Sequence, residues 1–259
     1  MNIYIDELNI NERGNEMHKI EEFLKSREDE FSSNYKKYGD SPRSLNVDAV
    51  KQFIGFNSLI QDINMNDRSI LDIGCGLGDI NRYFKFKGFN NYKYLGVDIV
   101  ENFIKQGEKK YGTDDIKFIK GNFINDTYEQ KFDYIIGNQI FYRKIRDMDT
   151  YIYIEQMIAK AFELCNKSVM FNFLSDRAEI QYEANFYANV EKIINFAYTL
   201  SKNIVIRNDY SPYEFSIVIS KSNNINIRPT YFVEYLEKNQ DIIKCLKDDI
   251  GRGIYENKR

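Results

Sequence analysis

The stretch SILDIGCGLGDI, Ser69 to Ile80, is an apolar run broken by three glycines at alternate positions, Gly74, Gly76 and Gly78, before the chain turns apolar again. Such a run reads as a buried strand entering a tight turn and then a helix. In a doubly wound sheet that first turn lies at the ligand crevice, and glycines there let the backbone approach a ligand closely. The dinucleotide pattern GxGxxG needs its third glycine at position 79, where this chain has Asp79, so the spacing is GxGxG. Asp72 ends the strand, with its carboxylate predicted to face the crevice. A pyrophosphate is repelled there, whereas a ligand carrying an ammonium and a sulfonium is attracted. The pair of features favours S-adenosylmethionine over NAD.

Downstream, YLGVDIV (Tyr94 to Val100) reads as the second strand, ending at Asp98. A carboxylate at that place can accept hydrogen bonds from both hydroxyls of a ribose, which NAD and S-adenosylmethionine share. Asp98 can equally cap the helix predicted from Glu101. Further apolar runs, IKFI, FDYIIGN and SVMFNFL, alternate with helical patterns such as Glu101 to Tyr111 and Tyr151 to Leu164. This alternation implies a parallel sheet covered on both faces. NIVIRNDY and YEFSIVIS, joined across Ser211-Pro212, require an antiparallel pair. Helical periodicity is also present at Glu16 to Phe31 and Val47 to Ile63, before the first strand. The expected organisation is a helical segment over 1–66 capping the cleft, a core over 67–222 and a helical extension over 223–259.

Composition bounds the partners. With 259 residues, 43% hydrophobic and 15% aromatic, the chain is long enough for one domain with additions. A net charge of -3 offers no global attraction to phosphate backbones or anionic membranes, so neither nucleic acid nor membrane is an expected partner. Cys75, Cys165 and Cys245 are too scattered for a disulfide framework or a zinc site, and no metal is expected. Without a signal-like segment, a cytoplasmic monomer or homodimer is the expectation. The single histidine, His18, lies in the first helix and is read as a surface or core residue.

These motifs resemble the class I S-adenosylmethionine-dependent methyltransferases. LDIGCGLGD is similar to that family's first motif, GVDI to its second, IKFIKGNF to its third and KFDYIIGNQIFY to its fourth. The resemblance implies a Rossmann-like α/β fold, a mostly parallel seven-stranded sheet ending in an antiparallel hairpin, with helices on both faces. It implies a cofactor site made by Asp72, the turn Gly74, Cys75, Gly76 and Gly78, then Asp98, Ile99, Asn122, Phe123 and Asn138. Asn122 stands where most relatives have Asp; its amide still accepts from the adenine amino group, and Phe123 beside it packs on the ring. KYGDSPRSL, FELCNKSVMFNFLS and RNDYSPYEFSIVI also resemble a set of short bacterial methyltransferases of mostly unassigned substrate. In that set the position of Asn208 usually carries His, so no histidine-based mechanism is carried over. Arg43 and Gln52 are candidates to hold the methionine carboxylate, by ion pair and hydrogen bond, or else are a turn residue and a helix-surface residue.

Methyl transfer is an in-line displacement at an already activated carbon and needs a base only where the acceptor is protonated. Tyr142, Asn138 and Gln139 are placed to face an acceptor; Asp209, Tyr210 and Glu214 form a second polar group at the hairpin, with Asp209 the leading base candidate. Asn138-Gln139-Ile140-Phe141 lacks the Pro-Pro-aromatic signature of enzymes that methylate base amines or protein amides. With that signature absent and the net charge low, a small polar acceptor is expected; the resemblance to short bacterial methyltransferases, often associated with surface-polysaccharide pathways, implies an oxygen of a sugar, a nucleotide-linked sugar or a phosphoryl group. Two other readings stay open, a non-catalytic S-adenosylmethionine-binding regulator and an NAD-dependent oxidoreductase.

Overall fold

The computed structural model describes residues 10–221, with 239–242 and 244. The expected C-terminal helix over 223–259 lies otherwise outside the described residues. The described residues 10–221 belong to one compact unit. Its elements run α1 (Ile10–Tyr38), a 3-10 turn (Pro42–Leu45), α2 (Ala49–Ile60), β1 (Arg68–Ile73), α3 (Ile80–Phe86), β2 (Tyr92–Asp98), α4 (Glu101–Tyr111) and β3 (Ile116–Lys120). There follow β4 (Phe132–Gly137), α5 (Thr150–Leu164), β5 (Cys165–Ser175), β6 (Tyr187–Ala188), α6 (Val190–Leu200), β7 (Asn203–Arg207) and β8 (Glu214–Ser220).

The sheet order is β3-β2-β1-β4-β5-β8-β7, with the short β6 pairing β5 as an eighth strand. β8 runs antiparallel to β5 and β7, and the other pairs are parallel. The order reverses between β1 and β4, so the connections leaving their C-terminal ends diverge and open a crevice. That crevice positions the glycine turn after β1 opposite Asn138 after β4.

Two-residue periodicity sorts side chains onto two cores. Leu71, Ile135, Val169, Phe171 and Ile217 face α5 and α6, while Ile70, Ile136, Met170 and Val218 face α2 and α3. On this second face the strand ends turn polar: Asp72, Asn172 and Ser216 are buried, the last two against α2. Ser216 donates to the Ser58 carbonyl of α2 at 3.2 Å, which satisfies part of that seam.

Side-chain caps set the helix starts. Asp48 accepts from the N–H groups of Val50 and Lys51, which starts α2 at Ala49 and not at Val47. Asp149 and Asn189 do the same for α5 and α6. The first helix extends well beyond Glu16 to Phe31, because Phe31 and Tyr35 both pack on Phe103 of α4 at 5.9 Å between ring centroids. The hairpin connection spans 208–213, longer than the Ser211-Pro212 link anticipated, and the pairing is antiparallel as expected.

Candidate active site

A cavity of about 270 Å³ lies at the crevice, walled by α1, the 3-10 turn, α2 and the ends of β1, β2, β3 and β4. Asp72, Gly74, Cys75, Gly76, Asp98, Ile99, Asn122, Phe123, Asn138, Gln139, Tyr142 and Gln52 all line it. Thus most of the sequence-predicted residues come together on one surface.

Asp72 accepts from the Tyr94 hydroxyl at 2.8 Å. Burial pushes its carboxyl up to about 7; Tyr94 holds it down and the nearby Asp98 adds to the rise. Asp98 receives the Gly76 N–H on Oδ2 and the Val100 N–H on Oδ1, both at 2.9 Å. It therefore fixes the glycine turn and also the entry to α4, the structural role weighed from its sequence. Each carboxylate oxygen has two acceptor sites, so capacity remains for a diol. Burial raises Asp98 to about 6, with the N–H groups of Val100 and Gly76 opposing the rise.

Gly74 and Gly76 adopt φ of 66° and 54°, which glycine reaches without strain. A Cβ on Gly76 would come within 2.8 Å of Leu45 from the 3-10 turn, so the N-terminal segment closes directly over the turn. Cys75 is buried between them, and burial holds its thiol well above the usual range, which leaves no thiolate nucleophile. Gly78 is absent from the cavity lining. Asp79 also faces away from it: it accepts from Lys110 and Tyr111 of α4, each at 2.9 Å. Its role is to tie the turn to α4, and its sequence contrast with a dinucleotide turn does not act through ligand contact.

Asn122 opens a turn in which its side chain accepts from the Ile124 N–H at 3.3 Å. Phe123 is buried against Tyr128, with ring centroids 5.6 Å apart. Asn138 and Gln139 are clamped by Asn172 of β5, whose amide donates to Asn138 at 2.7 Å and accepts the Gln139 N–H at 2.6 Å. That clamp holds Gln139 at φ 62°. Asn172 was missed, although a lone amide inside the apolar run SVMFNFL was a visible signal.

Two expectations move. Arg43 is exposed and outside the cavity lining; its segment caps itself, with the Arg43 N–H donating to the Ser41 hydroxyl. The arginines that do line the cavity are Arg27 of α1 and Arg143 beyond β4. Neither had a sequence signal, since Arg27 lies in the charged run EEFLKSREDEF. Asp209, the expected base, is exposed on the hairpin connection and also outside the lining, where turn chemistry accounts for it. The buried carboxyl there is Glu214, raised by burial and held down by the adjacent Tyr142 hydroxyl and by Lys51. The Tyr142 hydroxyl is buried beside the Glu214 carboxyl, and that of Tyr210 is buried near Ser58 and Ser216. Burial, followed by Glu214, lifts Tyr142 well above the ordinary phenol range. His18 is exposed on α1 beside Glu22. Among the described residues, no helix is long and apolar enough to cross a membrane.

Comparison with known proteins accords with this geometry. A methyltransferase domain family model matches residues 64–215. The chain is 25% identical over 162 residues to "Putative methyltransferase Rv1506c" of Mycobacterium tuberculosis, covering 60% of this chain and 94% of that protein. It is 28% identical over 120 residues to the malonyl-acyl-carrier-protein O-methyltransferase of Priestia megaterium, covering 46% of this chain and 41% of that one. Among solved structures, magnesium protoporphyrin IX methyltransferase from Synechocystis PCC 6803 with bound S-adenosylhomocysteine superposes with a TM-score of 0.53 at 15% identity, over 77% of this chain and 96% of that chain. The complex of DhpI with S-adenosylhomocysteine gives 0.55 at 11% identity, over 75% and 95%. With the family model spanning more than half its length and the doubly wound sheet ending in the expected hairpin, the chain belongs to the methyltransferase domain family and has the class I S-adenosylmethionine-dependent methyltransferase fold.

Proposed function

We propose that the cavity binds S-adenosylmethionine and that the protein moves its methyl group to a small polar acceptor. The carrying observation is that Asp98 bonds the Gly76 N–H, so the carboxylate suited to a ribose and the backbone suited to a methionine moiety form one rigid unit. Asp98 and Ile99 would hold the ribose, Asn122 and Phe123 the adenine, and Asp72, Gly74, Gly76 and Gln52 the amino-acid end. The fit is chemical as well as spatial: a buried carboxyl raised to about 7 by desolvation gains most from a cation placed beside it.

The sulfonium supplies a methyl carbon already activated for displacement. What the chain must add is placement of the acceptor atom in line with that carbon, in a site closed to water. Leu45 over Gly76 and α1 across the cavity support a capping role for the N-terminal helices. Tyr142 and Gln139 line the side of the cavity at the end of β4, and Tyr142 with Glu214 is the base candidate where the acceptor is protonated, replacing Asp209. An oxygen acceptor is the reading we favour, of the sugar, nucleotide-linked sugar or phosphoryl type used in bacterial surface-polysaccharide assembly. The oxygen acceptor named for the Priestia relative and the likeness to short bacterial methyltransferases support it.

The test is calorimetric titration with S-adenosylhomocysteine and, in parallel, NAD, followed by a screen of sugar nucleotides and phosphorylated sugars scored by release of S-adenosylhomocysteine. Binding of the former and turnover with one acceptor are expected. Binding of NAD alone would replace this reading by a dehydrogenase, and binding without turnover on any acceptor favours a regulatory protein.

A further inference from the structure

The charges lining the cavity are arranged by sign. Asp72 is the next-to-last residue of β1 and Asp98 ends β2, whereas Arg27 projects from α1 and Arg143 from the connection after β4. Both guanidinium groups converge on one carboxylate: Arg27 pairs with Glu30, and Arg143 Nη2 lies 3.6 Å from Glu30 Oε1. Glu30 also accepts from Asn46 Nδ2 at 2.8 Å, so it is held in place. Two cations share one anion where the Arg27 side chain is only 13% exposed. Arg143 and Glu30 are 33% and 38% exposed, so water screens the excess positive charge in part and least at the inner Arg27.

The two guanidinium groups are also fixed before any ligand arrives. Arg27 lies over the Phe31 ring at 4.4 Å, and Arg143 Nη1 donates to Asn185 Oδ1 at 3.0 Å. Each retains further N–H donors in the planar fork that matches carboxylate or phosphate oxygens. We propose that Arg27 and Arg143, with Glu30 as their built-in counter-ion, form a subsite for an anionic oxygen group, phosphate or carboxylate, carried by the methyl acceptor. The inference rests on the reading of the cavity as a methyl-donor pocket.

Position assigns the subsite to the acceptor. Arg143 follows Asn138 and Tyr142 on the β4 side, while Asp98 and Asn122, which suit a nucleoside, follow β2 and β3 on the opposite side of β1. A wholly neutral acceptor would leave the excess charge to solvent alone, whereas an anionic group would pair with it. The competing occupant is the donor's own carboxylate, and the experiment separates the two.

The full chain is titrated with S-adenosylhomocysteine, and the loaded protein is then titrated with inorganic phosphate and with acetate, for wild type, Arg143→Gln and Arg27→Gln. We expect the loaded wild type to bind an oxyanion and each variant to weaken that binding about tenfold or more, with S-adenosylhomocysteine affinity held within about threefold. Phosphate above acetate identifies a phosphoryl group, and the reverse a carboxylate; both sustain the subsite. Absence of oxyanion binding to the loaded wild type overturns it. So does competition between oxyanion and S-adenosylhomocysteine, with the variants losing affinity for the latter, since the arginines then hold the donor and the methyl-donor reading survives. Failure of wild type to bind S-adenosylhomocysteine defeats that underlying reading. Should Arg27→Gln fold poorly because Glu30 loses its partner, Arg27→Gln with Glu30→Gln removes the unpaired charge and the same titrations apply.

Discussion

Tyr94 donates its hydroxyl to Asp72 across 2.8 Å between the adjacent strands β2 and β1, and both groups are buried. A neutral donor stabilises the carboxylate but does not replace its lost hydration, so Asp72 sits near 7 and its neighbour Asp98 near 6. Both are raised above the unfolded carboxylate range, so between about pH 4 and pH 7 the folded chain holds more protons than the unfolded chain. Stability of the ligand-free protein is therefore expected to fall as pH rises through this window, by up to about 1.4 kcal/mol per pH unit for each group. Asp72→Asn should flatten the slope. Denaturant unfolding at several pH values checks this, and a wild-type slope of opposite sign attributable to Asp72 would refute it. Binding has the reverse dependence: the ionised carboxylates attract the ligand, so S-adenosylhomocysteine affinity should drop as pH falls below 7.

Asp98 serves the fold and the ligand through the same oxygens, so its replacement separates two costs. Asp98→Ala leaves the Gly76 and Val100 N–H groups without their acceptor, at about 1–3 kcal/mol for each that stays dry. Asp98→Asn keeps one acceptor oxygen and should lose less. Both variants are expected to weaken S-adenosylhomocysteine binding by about tenfold or more, since a charged acceptor for a diol is removed. Calorimetry beside thermal melts distinguishes the terms; Asp98→Asn binding as tightly as wild type would remove the ribose assignment.

The parts legible in the sequence were those fixed by local covalent and periodic constraints. The turn after β1 was readable because positive φ at Gly74 and Gly76 demands glycine, and the two faces of the sheet because strand alternation carries them. Residues brought in by distant elements were not readable. Arg27 reaches the cavity only because α1 crosses it, and a surface-like run of charges conceals that. Asp209 and Glu214 illustrate the same limit within one hairpin: both are acidic residues beside a turn, but only pairing with Leu174 carries Glu214 inward. Asp79 departs from a dinucleotide turn by its spacing, yet its partners Lys110 and Tyr111 lie one full βα unit away.

The clamp at the end of β4 offers a test of packing. Asn172 is fully buried and supplies both the donor to Asn138 and the acceptor for the Gln139 N–H. Asn172→Val removes both bonds and leaves that N–H unpaired, which should cost about 2–3 kcal/mol. The helix above allows no compensation from bulk: a Cβ at Gly55 would meet Asn138 Oδ1 at 2.7 Å, so Gly55→Ala should displace the same amide. In a double-mutant cycle the two substitutions should be non-additive, because they act on one hydrogen-bonded group. Strict additivity in chemical denaturation would show that the clamp does not join α2 to β5.

Glu214 is the sharpest test of chemistry. Its carboxyl is buried and raised, and it adjoins the hydroxyl of Tyr142, a residue that lines the cavity. With a protonated oxygen acceptor, Tyr142 would receive the acceptor's hydrogen bond while Glu214 takes the proton through it, so the acceptor oxygen gains negative charge as its bond to carbon forms. Removing such a base costs about 10²–10⁴ in rate. Glu214→Gln should therefore lower kcat by at least about a hundredfold, leave S-adenosylhomocysteine affinity unchanged, and abolish the acid limb of the pH–rate profile. Tyr142→Phe should lower kcat in parallel. An acceptor that is already an anion, methylated on its own charged oxygen, needs no base; a Glu214→Gln rate within about twofold of wild type would establish that case and end the base assignment.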